Sequence, residues 1–216
     1  VSPLKLKERN IFKAAFSPDS KRFATGTEQS TVRIWSAEFA ECIETLDGHE
    51  CIVKALAWSE CGRFLITACA NKLIVRDSDT YKTMQEISLK SGQTHFGILC
   101  ATVTQDGSRI AIASYNTVWL FETLTGRQIG SMATTLGIFN IRVVTFSPDG
   151  KLCAAVGNGD RVSIIDGVTG KVLKSLVGHT NHLRSATFSP CGKFLLTGGY
   201  DCTIKIWDVR TWVCLR

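Results

Sequence analysis

Phe16-Ser17-Pro18-Asp19, Phe146-Ser147-Pro148-Asp149-Gly150 and Phe188-Ser189-Pro190-Cys191-Gly192 write one short phrase three times. Trp58-Ser59-Glu60-Cys61-Gly62 and Val103-Thr104-Gln105-Asp106-Gly107 are weaker copies, so the apolar lead residue recurs at intervals of 42, 45, 43 and 42 residues. A second marker keeps step with the first: Ile34-Trp35-Ser36, Val75-Arg76-Asp77, Leu120-Phe121-Glu122, Ile164-Ile165-Asp166 and Ile206-Trp207-Asp208. One supersecondary unit of about 42 residues therefore occurs five times, and the chain is a repeat protein.

Inside a unit, short alternating segments are broken by turn residues, and no long window holds a helical period; this is strand chemistry. In the fifth unit the pattern predicts strands over Leu183 to Phe188, Phe194 to Gly198, Thr203 to Trp207 and Trp212 to Arg216. The phrase between the first two strands has Ser first, Pro with its ring-fixed φ second, a small polar residue third and Gly fourth, which describes a type I turn. Turn signals such as Asp77-Ser78-Asp79, Thr123 to Gly126 and Asp166-Gly167-Val168-Thr169-Gly170 then precede a last strand, for example Cys42 to Leu46 or Val172 to Val177. A four-stranded meander cannot hide both of its faces alone and must stack on a copy of itself. Radial stacking gives an all-β fold, a β-propeller of four-stranded blades. The expected repeats cover approximately 8–48, 49–93, 94–136, 137–178 and 179–216, one domain over 1–216.

Hydrophobic content of 44% and charged content of 20% place the chain with folded globular proteins. Its apolar stretches are strand-sized, so no membrane-spanning helix is expected. Val1-Ser2-Pro3-Leu4-Lys5-Leu6-Lys7-Glu8 alternates and lacks the apolar run of a signal peptide, and the absence of an initiator Met points to a cropped start. Nine cysteines are scattered without a Cys-x-x-Cys pair. Such thiols read as reduced, which predicts a cytoplasmic or nuclear protein. The net charge of +6 is spread along every repeat with no basic run, so it reads as solvated surface before it reads as a nucleic-acid site.

The residues resemble the WD40-repeat family. In the fifth unit Gly178-His179 precedes Trp207-Asp208, with Thr197-Gly198-Gly199-Tyr200-Asp201 between them. The first unit keeps Thr25-Gly26-Thr27 and Ile34-Trp35-Ser36, with Gln29 where the Asp should stand and no preceding His. The second keeps Gly48-His49 and has Arg76 in place of Trp, while the third and fourth keep the framework without the dipeptide. Propellers of this family usually carry about seven or eight blades, so five repeats lead to the expectation of part of a longer propeller. The alternative is a closed five-blade ring in which Leu4-Lys5-Leu6 pairs as a closing strand.

The resemblance implies that His179, Thr197, Asp201 and Trp207 form the family's structural tetrad. A His, hydroxyl and Asp set could also be a nucleophilic triad, but an indole donor has no catalytic purpose and a connected buried network stiffens a blade. His179-Thr180-Asn181-His182, with Cys191 and Cys202 nearby, has metal-like spacing without the tight ligand pairs of a zinc site, so no metal is expected. Gly167-Val168-Thr169-Gly170-Lys171 lacks the glycine spacing and hydroxyl residue of a phosphate loop, and Gly157-Asn158-Gly159-Asp160 lacks the third glycine of a dinucleotide fingerprint. Asp106, Asp149, Asp160 and Asp201 all fall in turns, which explains them without a carboxylate pair for glycoside chemistry. Neither an enzyme, nor a cofactor, nor a small-molecule substrate is expected.

Proteins of the family are mostly rigid platforms that gather partners on the face around the central axis. The resemblance places the contact positions six and four residues before each lead residue: Asn10 and Phe12, Ile52 and Lys54, Gly97 and Leu99, Asn140 and Arg142, His182 and Arg184. The residue between each pair, Ile11, Val53, Ile98, Ile141 or Leu183, is apolar and is expected to point into the blade interface. Apolar anchors beside Lys54, Arg142 and Arg184 suit an acidic or mixed peptide segment of a protein partner. Solvated strand entries on a fragment whose contact face lies in missing blades are the plainer alternative, and RNA association through the scattered basic residues is another.

Overall fold

The computed structural model describes residues 10–89, 97–133 and 139–216, and every regular element among them is a strand. The first antiparallel sheet comprises β1 (Ile11–Phe16), β2 (Arg22–Thr27), β3 (Val32–Ser36) and β4 (Cys42–Leu46). The second comprises β5 (Ala55–Trp58), β6 (Phe64–Ala68), β7 (Lys72–Asp77) and β8 (Thr83–Ser88). The third is β9 (Cys100–Val103), β10 (Arg109–Ser114), β11 (Thr117–Glu122) and β12 (Gln128–Ala133). The fourth is β13 (Phe139–Phe146), β14 (Leu152–Asn158), β15 (Arg161–Asp166) and β16 (Val172–Val177), and the fifth is β17 (Leu183–Phe188), β18 (Phe194–Gly199) and β19 (Ile204–Asp208). Each sheet is a meander in chain order. No helix among the described residues is long and apolar enough to cross a membrane.

The repeated phrase closes the first hairpin of every sheet by one mechanism. The amide of its last residue donates to the carbonyl of its Ser or Thr at 2.8–2.9 Å: Ser20 to Ser17, Gly62 to Ser59, Gly107 to Thr104, Gly150 to Ser147 and Gly192 to Ser189. The hydroxyl of the same Ser or Thr accepts from the first amides of the second strand, as with Leu152 N at 3.0 Å on Ser147 Oγ. The closing residue is left-handed, with φ between 58° and 76°, which accounts for Gly in four copies and marks Ser20 as the exception.

The apolar core divides into four clusters, each bridging two consecutive sheets. Ile34 and Val32 meet Val53 and Leu56 at the first seam, and Ile66 and Leu73 meet Ile110 and Ile112 at the second. Ala111 and Leu120 meet Ile141 and Val144 at the third, and Ile164 and Val156 meet Leu183 and Leu195 at the fourth. Strands such as β11 are buried over four consecutive residues, so both faces of the interior sheets are covered. Each fully buried Ile or Leu contributes about 1.5–3 kcal/mol relative to exposure. The innermost strands β1, β5, β9, β13 and β17 touch in series, as blades set around an axis do.

Two expectations need adjustment. The predicted fourth strand over Trp212 to Arg216 is present as one bridge, Trp207 with Cys214, flanked by backbone bonds from Asp208 N to Val213 O, Leu215 N to Ile206 O and Ile206 N to Arg216 O. Among the described residues no packing comparable to the four seams joins the fifth sheet to the first. Phe16, Ile204 and Leu196 are exposed on the two end faces of the arc. Leu4-Lys5-Leu6 lies outside the described residues.

Candidate functional site

At the start of each innermost strand the buried residue points sideways into a seam. Val53, Ile98, Ile141 and Leu183 are fully buried there, whereas Ile11 is 41% exposed because no sheet packs on that side of β1 among the described residues. The flanking residues turn toward the common axis, and those of blades two to five surround a cleft of about 560 Å³. It is lined by Lys54, Leu99, Asn140, Arg142 and His182, together with Tyr115, Phe139 and Asn158. Among the described residues no carboxylate lines it.

The structure thus gathers five of the ten positions expected from sequence and leaves Asn10, Phe12, Ile52, Gly97 and Arg184 outside the lining. Arg184 stands beside the cleft, where its Nη1 donates to Asn158 Oδ1 at 2.7 Å and its guanidinium lies 4.4 Å from the centre of the Tyr200 ring. Asn10 is turned to Glu28, whose carboxylate accepts from its amide. Phe12 is 48% exposed on β1, and Ile52 is half-buried in the connection before β5.

Backbone geometry explains part of the residue choice without reference to a ligand. Asn10, Gly97 and Asn140 occupy the same position in their units and are all left-handed, at φ 53°, 75° and 50°. Asn and Gly are the residues that bear this conformation best. Asn140 therefore serves the chain first, and its amide is presented to the cleft as a consequence.

Three lining residues escaped the reading of the sequence. Phe139 begins β13 and is 51% exposed, with its ring 6.1 Å from that of Tyr115 at a 41° tilt. Tyr115 lies in the β10–β11 turn and Asn158 ends β14, and both turns project to the same end of their blades as Asp201. That shared end was the available signal, since Tyr115 follows its second strand and Asn158 closes its own, at the end where Asp201 follows β18.

A second polar constellation is buried within the fifth blade. Trp207 Nε1 donates to Thr197 Oγ1 at 2.9 Å, so the single Thr197 hydroxyl proton is free for His179 Nε2 at 2.8 Å. His179 then carries its proton on Nδ1 and donates to Asp201 Oδ2 at 2.6 Å. Burial opposes ionisation of Asp201, but hydrogen bonds from His179, Thr203 and the Thr180 and Thr203 amides outweigh it and hold the carboxyl far below the usual range. Thr197 is only 1% exposed, and its oxygen is already engaged on both sides. The arrangement locks a blade and offers no open nucleophile.

The second blade repeats this network with different chemistry. Arg76 replaces the indole, its Nη1 donating to Thr67 Oγ1 at 2.9 Å and its Nη2 to the Asp47 carbonyl. His49 Nε2 meets Thr67 Oγ1 at 2.8 Å, while Asn71 stands where the fifth blade has Asp201. His49 Nδ1 is buried without a hydrogen-bond partner. Burial, followed by the charges of Arg76 and Lys72, pushes His49 down to about 4. The first blade keeps only the Trp35 Nε1 to Thr25 Oγ1 bond, at 2.9 Å.

Comparison with known proteins agrees with this architecture. The family WD40, described as WD domain, G-beta repeat, matches residues 4–36, 40–75 and 170–208. The nuclear distribution protein nudF of Aspergillus niger is 26% identical over 219 residues, covering 91% of this chain and 49% of its own length. Protein HIR1 of Cryptococcus neoformans is 25% identical over 214 residues, covering 94% of this chain and 21% of its own. The serine-threonine kinase receptor-associated protein of Gallus gallus is 23% identical over 248 residues, 95% of this chain and 70% of its own. The chain spans about half the length, 49%, of the nuclear distribution proteins nudF and PAC1-1 that it matches.

Proposed function

The chain belongs to the WD40-repeat family, and from that premise we propose that it is a non-catalytic protein-interaction scaffold whose axial cleft receives an acidic segment of a protein partner. The observation that carries this reading is the composition of the cleft wall: Lys54, Arg142 and His182 around the Tyr115 and Phe139 rings, with no carboxylate among the described lining residues. Aromatic and arginine side chains are the usual anchors of a protein interface, and unopposed cations raise the encounter rate of an acidic partner. The nine free thiols suit work in the cytoplasm or nucleus. A relative named for its association with serine-threonine kinase receptors supports a platform role in general.

The test uses a fluorescent peptide of alternating Glu and Phe as probe, with oligouridine RNA as the competing class. The peptide is expected to bind and to lose about tenfold or more in affinity on Arg142→Glu, a change of ~1.4 kcal/mol. Binding unaltered by Arg142→Glu and by Lys54→Glu would remove this face from the proposal. Preference for oligouridine with a steep salt dependence would replace the protein partner by RNA.

A further inference from the structure

All nine cysteines are free thiols, and one pair stands apart from the rest. Cys51 lies in the connection leading into β5, and Cys69 directly follows β6, at the end of the second blade that carries Lys54. The Ala70 backbone N–H, one peptide bond beyond Cys69, donates to Cys51 Sγ at 3.2 Å. That bond sets the Cys51 sulfur against the peptide that leaves Cys69. Cys51 is half-buried and open to a small reagent, while Cys69 is 1% exposed behind it.

The electrostatics divides the labour between them. Burial, and then the nearness of Cys51, pushes the Cys69 thiol up, so Cys69 keeps its proton at neutral pH. Cys100 and Cys153 lie in the apolar seam between the third and fourth blades, where burial pushes both thiols up to about 12 and keeps them protonated.

We propose that Cys51 and Cys69 form a reversible redox site that a peroxide oxidises to an intramolecular disulfide. The Cys51 sulfur attacks one oxygen of hydrogen peroxide; the S–O bond forms as the O–O bond breaks, and the departing hydroxide takes up the Cys51 proton as water. Cys69 then attacks the sulfenic sulfur of Cys51, its electron pair making the S–S bond while its proton leaves with the hydroxyl as a second water. Two thiols are oxidised, one peroxide is reduced and two waters are released. The Cys51 sulfur already lies 3.2 Å from the nitrogen that follows Cys69, so a bond of about 2 Å between the sulfurs asks for a local rearrangement.

The crosslink would clamp the segment just ahead of Lys54 to the β6–β7 turn. That turn also holds the next blade, because the Ala70 carbonyl accepts from Ile98 N at 2.8 Å, one residue before Leu99. An effect of oxidation on docking rests on the function proposed above; the thiol chemistry does not.

The full chain is treated with a small molar excess of hydrogen peroxide, alkylated, and mapped by mass spectrometry without reduction. The expected product joins the Cys51 and Cys69 peptides, is two hydrogens lighter than the reduced pair, and disappears with dithiothreitol. Cys69→Ser should leave Cys51 as a sulfenic acid trapped by dimedone, and Cys51→Ser should leave Cys69 unoxidised. Both thiols remaining alkylatable while exposed Cys42 or Cys191 oxidises would overturn the proposal, as would Cys51 linked elsewhere. The unsubstituted protein decides the matter even where a variant misfolds. A crosslink that leaves binding of the Glu-Phe peptide unchanged keeps the redox site and removes only its link to docking.

Discussion

Arg109 in the third blade donates through Nη1 to the Gly167 carbonyl of the fourth at 2.6 Å. The same tie joins the first blade to the second, where Arg22 Nη1 meets the Ser78 carbonyl at 2.8 Å. Both arginines stand six residues after their lead residue, and both carbonyls follow the aspartate that ends a third strand. Arg109→Ala should therefore loosen the third seam and lower unfolding stability by about 1–2 kcal/mol, the range for a partly solvated charged hydrogen bond. Urea unfolding reads this as a shifted midpoint at constant slope, and an unmoved midpoint would show the tie to be neutral.

The second blade predicts an acid-sensitive seam. Unfolded His49 titrates near its ordinary 6.5 and folded His49 near 4, so between these values the unfolded chain binds the extra proton. Stability contributed by the neutral imidazole is complete above about pH 6.5 and is lost as pH falls toward 4, by on the order of 3 kcal/mol. Asn71→Asp supplies the acceptor that His49 Nδ1 lacks and should flatten this slope while adding about 1 kcal/mol at pH 7. Denaturation midpoints of both proteins between pH 4 and 7.5 make the comparison, and parallel slopes would refute it.

Thr197 is the hinge of the fifth blade's network. Thr197→Val keeps the shape but strands both His179 Nε2 and Trp207 Nε1 in the interior, at a cost of about 2–4 kcal/mol. Calorimetry should record a lower melting temperature with the fold retained. A variant as stable as the parent would mean that the network contributes little.

Ser20 is the one non-glycine among the five left-handed turn closers. Ser20→Gly removes a conformational strain of about 1–2 kcal/mol and gives back part of it as unfolded-chain entropy. A net gain of about 0.5–1 kcal/mol in urea unfolding is expected, and a loss would show that the Ser20 side chain contributes more than its strain costs.

Local chemistry was readable from the sequence to a depth set by its own range. Ser-Pro-Asp-Gly encodes a turn within four residues, and β4 at Cys42–Leu46 and β16 at Val172–Val177 follow from turn signals on either side. The apolar residues Val53, Ile98, Ile141 and Leu183 declared the seam positions by alternation. The cleft was less legible because it is assembled across blades. Phe139 and Tyr115 are 24 positions apart in the chain and meet only when the third and fourth sheets stack. Asn10 matches Asn140 in sequence position but faces Glu28, a difference that no repeat alignment encodes.

The seams also alternate in kind. Arg22 and Arg109 tie the first and third, whereas Phe64 and Leu152 occupy the equivalent positions at the second and fourth, buried or half-buried against the next blade. Apolar contacts weaken on cooling and charged hydrogen bonds do not follow the same curve. Every seam keeps its apolar cluster, and the arginine ties add to the first and third a contribution that cooling weakens less, so blades one and two, and three and four, are the pairs expected to hold together longest near freezing.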